Sequence, residues 1–287
     1  MLLIFDGMDK LMKIAILTDS AAWLSEQTDA QTNIRILEIP LLLNDQAWSE
    51  GQLPAPAKLA ELARTRGNML TEEQIPLTEI LALLMQLYGQ GFTDVLIIHI
   101  AHSISGLGSK LHHLADHNDL PLNVQLFDSR SLGESEGLLV EYAASLVAKG
   151  KSLSEILPQL EQRRAQLHTL LLADDLKDLH KMGSIARRHT LSGQLAREKS
   201  ILKFSQSGEL EIILNSPWTK KIIAATTEMI GKKAKQITLA AADKATVRFY
   251  RQALTSRLPQ LEIKEKIITP TVLAYAGPQA VIISWQN

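Results

Sequence analysis

Residues 94–109 read DVLIIHIAHSISGLGS. Val95 to Ile98 is an unbroken apolar run with no polar alternation, which marks a strand covered on both faces. The composition then changes at once. Ser103, Ser105, Gly106, Gly108 and Ser109 make a small polar loop, and Leu111, Leu114 and Ala115 repeat at helical spacing behind it. Strand, Ser/Gly loop and helix in that order form the opening of a parallel βαβ unit.

The same grammar extends outward. Lys13 to Leu17 (KIAIL) reads as a buried strand with Thr18-Asp19-Ser20 as its polar exit. Ile34 to Leu43 (IRILEIPLLL) reads as one further strand, with Pro40 marking an edge, a bulge or an irregular end. Asp45 to Gln52 reads as a polar turn, Ala57 to Thr65 as a helix, and Leu77 to Tyr88 as an amphipathic helix behind Pro76. Val124 to Phe127 is a strand ending at Asp128-Ser129. The helix from Gly133 to Lys149 stops at Gly150. The expected fold class is α/β, with a mainly parallel sheet flanked by helices in an N-terminal domain at 1–160. In such sheets ligands sit beyond the carboxyl ends of the strands. Here those ends are Thr18-Asp19-Ser20, Ala101 to Ser105 and Asp128-Ser129, so they converge on one crevice.

The second half has a different order. A helix from Leu153 to Gln166 precedes a strand at Thr169 to Leu172 and a helical run at Asp175 to Met182. Ile201 to Leu214 reads as a hairpin about Ser207-Gly208. Helices at Thr219 to Lys235 and Lys244 to Leu258 alternate with strands at Gln236 to Ala241, Leu261 to Ile268 and Ala280 to Ser284. This predicts a second, α+β domain at 161–287.

Composition narrows the function classes. The 287 residues are 46% hydrophobic and 21% charged, with a formal net charge of −1, so no global field draws in nucleic acid. The densest basic run, Lys232, Lys233 and Lys235, suits a solvated helix end. There is no cysteine, which excludes disulfides, thiolate metal sites and cysteine nucleophiles. No uncharged stretch reaches the roughly 20 residues of a membrane span. Residues 1–12 carry Asp6, Asp9 and Lys10 around a short apolar patch, which argues against a signal peptide. They read as an extension ahead of Met12-Lys13, and the expected location is cytoplasmic.

The chemistry available is that of a binding site. Free N–H groups where the loop enters its helix attract an anion, and a serine hydroxyl adds a donor, so Ser103, Ser105 and Gly106 suit a carboxylate or phosphate. Ser105 serves equally well as a plain helix cap. No Gly-Lys-Ser/Thr follows, so the loop is not a P-loop. His99, His102, His112, His113 and His117 cluster in sequence, but no HExxH or carboxylate spacing completes a metal site. A hydrolase would need Ser105 with His102 or another histidine and Asp19 or Asp128, yet SISG lacks the G-x-S-x-G elbow. Asp19 and Asp128 suit the loop-supporting role of acids at strand ends, with Ser20 and Ser129 beside them. Asp174 and Asp175 are adjacent and cannot face each other on a helix. No catalytic residue, cofactor or metal is expected.

Five segments in order resemble the DegV family. KIAILTDSAAWLSEQ (13–27) is similar to its first strand and Thr-Asp-Ser loop, and IRILEIPLLLNDQAWSEG (34–51) to its second strand and acidic-Gly turn. HIAHSISGLGS (99–109) resembles HISSGLSGT, with Ser105-Gly106 on the second Ser-Gly. VQLFDSRSLGESEGLLV (124–140) resembles V-x-DS-x-S…G-LLV through Asp128, Ser129, Ser131 and Gly137. DDLKDLHKMGSIARRHTLSG (174–193) resembles the stretch where a helix meets a Gly-Gly-Arg-Ile turn.

The resemblance implies a non-enzymatic carrier of one long-chain fatty acid, held in an apolar tunnel between two domains. It also implies a separate kinase subunit as partner for some members. Carried over, Ser105 and Gly106 hold the carboxylate, and Thr71 falls on the threonine of the family's Thr-Ser-Gln-Pro-Ser segment. Five positions depart. TEEQIPL places Glu72 and Glu73 where Ser and Gln stand, and such acids repel a carboxylate. AYAGPQ puts Tyr275 where a histidine stands, a donor without charge. Ser184 takes the arginine position of the Gly-Gly-Arg-Ile turn, and Leu107 a threonine position. These changes leave two alternatives: a regulatory sensor for a different small anion, or a serine hydrolase or phosphotransfer subunit.

Overall fold

The computed structural model describes residues 13–29, 33–48, 50–65, 68, 70–115, 120–174, 176 and 198–287. The extension at 1–12, His117, most of the helical run at 175–182, and Ser184 with the arginines after it lie outside these. In chain order the strands are β1 (Ile14–Asp19), β2 (Ile34–Leu37), β3 (Leu41–Leu43), β4 (Gln46–Trp48), β5 (Leu70–Glu72), β6 (Asp94–His99) and β7 (Asn123–Asp128). β8 (Leu167–Ala173), β9 (Lys199–Phe204), β10 (Leu210–Ser216), β11 (Gln236–Ala241), β12 (Glu262–Ile267) and β13 (Val281–Gln286) follow.

β2-β1-β6-β7 is a parallel sheet, as the sequence predicts. Its two central strands, β1 and β6, are buried at every position. Strand alternation still sorts their side chains. Ile14, Ile16, Leu96 and Ile98 pack with Leu139, Val140, Ile156 and Leu160 of the Glu134–Ala148 and Leu153–Arg164 helices. Ala15, Leu17, Val95 and Ile97 face the other way, in a core with Leu84, Leu87 and Leu111 of the Leu77–Gly89 and Leu107–Ala115 helices. Both faces being covered is why the sequence shows apolar runs instead of alternation.

The second sheet has the order β10-β9-β8-β13-β11-β12, and within it only the β11–β12 pair is parallel. One face carries the Thr219–Ile230 and Lys244–Thr255 helices. The other contributes Leu171, Leu202, Phe204 and Ile282 to the core that also holds Leu17 and Ile97. That core is therefore shared by the two sheets, and the site described below lies at its edge.

Two expectations need correction. IRILEIPLLL is not one strand: β2 ends at Leu37, and Leu41–Leu43 belongs to a separate antiparallel sheet of order β4-β3-β5. Pro40 has no N–H to continue the ladder, and the chain changes sheets there. The stretch read as a turn at 45–52 contains β4. Asn44 and Asp45 both take positive φ (55° and 62°), as a two-residue hairpin turn requires. The sequence reading also passed over the Pro270–Ala276 helix, which has proline in its first turn and Gly277, at φ 89°, after its last residue.

One close approach fixes the chain after β1. Gly137 lies against the Trp23 backbone so tightly that a Cβ there would stand 2.1 Å from the Trp23 carbonyl oxygen. Trp23 N–H in turn donates to the Gly133 carbonyl at 3.1 Å.

Candidate functional site

β6 ends at His99, and the loop behind it turns back through hydrogen bonds that the Ile104 and Ser105 N–H groups donate to the Ala101 carbonyl (3.1 and 3.3 Å). This sets Ser105 at the entry of the Leu107–Ala115 helix, where its Oγ accepts the Leu107 N–H at 3.2 Å. The hydroxyl thus caps the helix, and it has two further partners. Tyr275 donates its phenol to Ser105 Oγ at 3.0 Å, from a helix 170 residues further along the chain. Ser105 donates its own proton to Glu72 Oε2 at 3.1 Å. The one donor and two acceptor positions of the serine are all used.

Glu72 is the centre of the arrangement. Leu70 and Glu72 share the inward face of β5, so Thr71 between them points to the other side of that small sheet. The Glu72 carboxylate accepts from Ser105 and from the Gly106 N–H. A Cβ at Gly106 would meet Gln74 Nε2 at 3.4 Å, an ordinary contact. Burial pushes the Glu72 carboxyl up to about 7, and the nearby Asp19 charge adds to the rise. The two hydrogen bonds and the Lys110 charge oppose it. Lys110 Nζ is anchored to the Ile75 carbonyl at 2.5 Å. The remaining cavity, bounded by Ile39, Ile75 and Leu107, measures about 10 Å³, the size of one water.

A second acid lies behind the first. Asp19 is 1% exposed and joins the ends of two neighbouring strands. Oδ1 accepts the Ala21 N–H at 3.0 Å and Oδ2 the Ile100 N–H at 2.8 Å. Burial pushes its carboxyl up to about 6 against the pull of those bonds. Glu136, fully buried on the Glu134–Ala148 helix, faces it with no hydrogen-bond partner for either oxygen among the described residues. Burial first and then the Asp19 charge push Glu136 well above the carboxylate range, so it is the neutral member of the pair.

The other candidates have structural partners. Ser20 Oγ meets Thr271 Oγ1 at 3.0 Å and accepts the Ile39 N–H at 3.0 Å. Ser103 donates to the Gly208 carbonyl at 2.6 Å, which draws it to the β9–β10 turn and away from Ser105. Asp128 Oδ1 accepts the N–H groups of His102 and Arg130 (3.3 and 2.8 Å). Ser129 and Ser131 close a turn, Oγ to carbonyl at 3.1 Å. His99 is buried, with Nδ1 at 2.7 Å from the Ile100 carbonyl, and burial lowers its pKa. Among the described residues no group of three histidines and acids is placed to hold a metal.

Of the ligand contacts expected from the sequence, the structure therefore brings together Ser105, Gly106 and Tyr275, and leaves Thr71 and Ser103 apart. Glu72, expected to repel an anion, itself accepts from Ser105 and Gly106, the donors expected to hold one. The alternation Leu70-Thr71-Glu72 was the signal that could have found it. Nothing in the sequence marks Glu136.

These features can be set beside known proteins. The model of a family described as "Uncharacterised protein, DegV family" matches residues 13–287. The DegV domain-containing protein lin2658 of Listeria innocua is 24% identical over 279 residues, covering 95% of this chain and 98% of that protein. Among solved structures, the fatty acid binding DegV family protein SAG1342 from Streptococcus agalactiae superposes with a TM-score of 0.83 at 22% identity, over 96% of this chain and 99% of that one. The Streptococcus pneumoniae Fatty Acid Kinase (Fak) B3 protein, loaded with linoleic acid, gives a TM-score of 0.73 at 18% identity, over 96% and 99%. With a family match from the first described residue to the last, on a fold shared nearly end to end, this chain belongs to the DegV family.

Proposed function

We propose that this protein is a carrier of one long-chain fatty acid and performs no chemistry on it. The observation that carries the reading is the meeting of the Ser105 hydroxyl, the Gly106 N–H and the Tyr275 phenol at the edge of the core shared by both sheets. Donors for a head group thus adjoin apolar side chains that could line an acyl chain, such as Ile39, Ile75 and Leu107. Burial of such a chain contributes about 0.8 kcal/mol per CH₂, so the tail supplies most of the affinity and the donors set its position. The fatty acids named for the S. agalactiae and S. pneumoniae proteins support the ligand class. The latter's kinase name supports a separate kinase subunit as partner.

The hydrolase alternative fits the geometry poorly, because Ser105 donates its single proton to Glu72 and not to a base histidine. Among the described residues no helix is long and apolar enough to cross a membrane. The test is native mass spectrometry of freshly purified protein, with extraction and identification of what is released. A near-stoichiometric fatty acid, with affinity falling more than twofold in Ser105→Ala, is the expected result. A protein that ignores added fatty acids, or a variant that binds like wild type, would overturn the reading.

A further inference from the structure

The donors assigned to a ligand head group are already engaged by the chain's own carboxylate. Glu72 accepts the Ser105 hydroxyl at 3.1 Å and the Gly106 N–H, the two contacts a fatty-acid carboxylate would make. Only about 10 Å³ remains beside it, too little for a second carboxyl group while Glu72 keeps its place. We propose that Glu72 is an internal competitor for the head-group site, and that a fatty-acid carboxylate enters only together with one proton, which the two carboxyls then share. The inference rests on the carrier reading above and assigns a specificity-determining role to a residue on β5.

The charges around Glu72 say why the proton is needed. From the end of β1, Asp19 faces it as a second acid, with Glu136 of the Glu134–Ala148 helix behind. From the Leu107–Ala115 helix, Lys110 supplies an opposing positive charge, and that ammonium also serves the Ile75 carbonyl. From the Pro270–Ala276 helix, Tyr275 offers a neutral phenol through Ser105. An unprotonated ligand would thus add a negative charge to a buried spot where Asp19 and Glu72, with the exposed Glu73 at the cavity's rim, already face Lys110. A protonated Glu72 instead turns from acceptor to donor, hands Ser105 and Gly106 to the ligand, and hydrogen-bonds the incoming carboxylate. In balance, ionised Glu72, ligand carboxylate and one proton give a single hydrogen-bonded carboxyl–carboxylate pair.

With Glu72 titrating at about 7, proton uptake makes wild-type binding about tenfold weaker at pH 8 than at pH 6. The experiment is titration calorimetry of oleate into delipidated wild type and Glu72→Gln at both pH values. Oleate's own ionisation affects both proteins alike and cancels in their ratio. The expected result is a wild-type to variant affinity ratio that falls about tenfold from pH 6 to pH 8. A second measurement needs no variant: wild-type heats at pH 8 in two buffers of different ionisation enthalpy should report close to one proton taken up per oleate bound. A pH-independent ratio, or no proton uptake by wild type, overturns this inference and leaves the carrier reading standing. Failure of both proteins to bind at either pH overturns the two together.

Discussion

Replacing Glu72 by glutamine in the empty protein should make it more stable at pH 8 and leave it unchanged near pH 5. Glutamine keeps the shape and one oxygen that can still accept from Ser105 or Gly106, so what is removed is chiefly the ionisable charge. Burial raises the Glu72 carboxyl from 4.5 to about 7 in the folded chain. Between those values the folded state binds a proton that the unfolded state has released, so stability falls as pH climbs through the window. Integrated from pH 5 to pH 8, that loss is about 2–3 kcal/mol for wild type and absent for Glu72→Gln. Asp19, raised from 3.8 to about 6, adds a loss of the same sign in both proteins, and removing the Glu72 charge beside it eases that loss in the variant, which widens the difference in the same direction. Urea unfolding at the two pH values reads the effect as a shift in midpoint at constant slope. A variant less stable than wild type at pH 8 would refute the reasoning. It would mean that the Ser105 and Gly106 donors hold an ionised carboxylate at a profit that burial does not cancel.

Two further substitutions probe the frame around the site. Gly137→Ala gains helix propensity worth about 1 kcal/mol, yet its methyl would stand 2.1 Å from the Trp23 carbonyl oxygen. A net loss of about 3 kcal/mol or more is expected, seen as a fall in thermal midpoint, and a variant as stable as wild type would show that the chain after β1 yields freely. Tyr275→Phe removes the donor to Ser105 Oγ at 3.0 Å and should cost about 0.5–1.5 kcal/mol in urea unfolding at pH 7. No loss would mean that this phenol bond adds nothing to the folded state.

The parallel sheet was legible because β1 and β6 lie under helices on both faces, and strands so covered must be apolar throughout. The same rule hid the small sheet. Leu41–Leu43 follows β2 after only Glu38, Ile39 and Pro40, and β4 and β5 are three residues each, too short to show a period. Only Pro40 and the Asn44-Asp45 pair signalled the change of direction. At the site, Ser105 and Gly106 could be read from their place between a strand and a helix. Tyr275 required the resemblance, since 170 residues separate it from Ser105 and no local pattern reports such a contact. For Glu72 the sequence shows the charge that repels an anion, but not the hydrogen bonds that seat it on Ser105 and Gly106. Sequence gives its charge but not its burial, and burial decides whether an acid repels an anion or takes its seat.

The two halves of the chain are stitched by hydrogen bonds of long reach: Ser20 to Thr271, Trp23 to Thr269, Ser103 to Gly208 and Ser105 to Tyr275, over 251, 246, 105 and 170 residues. Contacts so distant in sequence form late, because the loops between them must close first. A first sheet folded on its own would thus carry the Ser105 loop but not the tyrosine that meets it. The proposed head-group site is thus a product of docking, and any ligand that bridges the halves would add its binding free energy to their union, about 2.7 kcal/mol at a hundredfold excess over Kd. Cargo, in such a molecule, is also mortar.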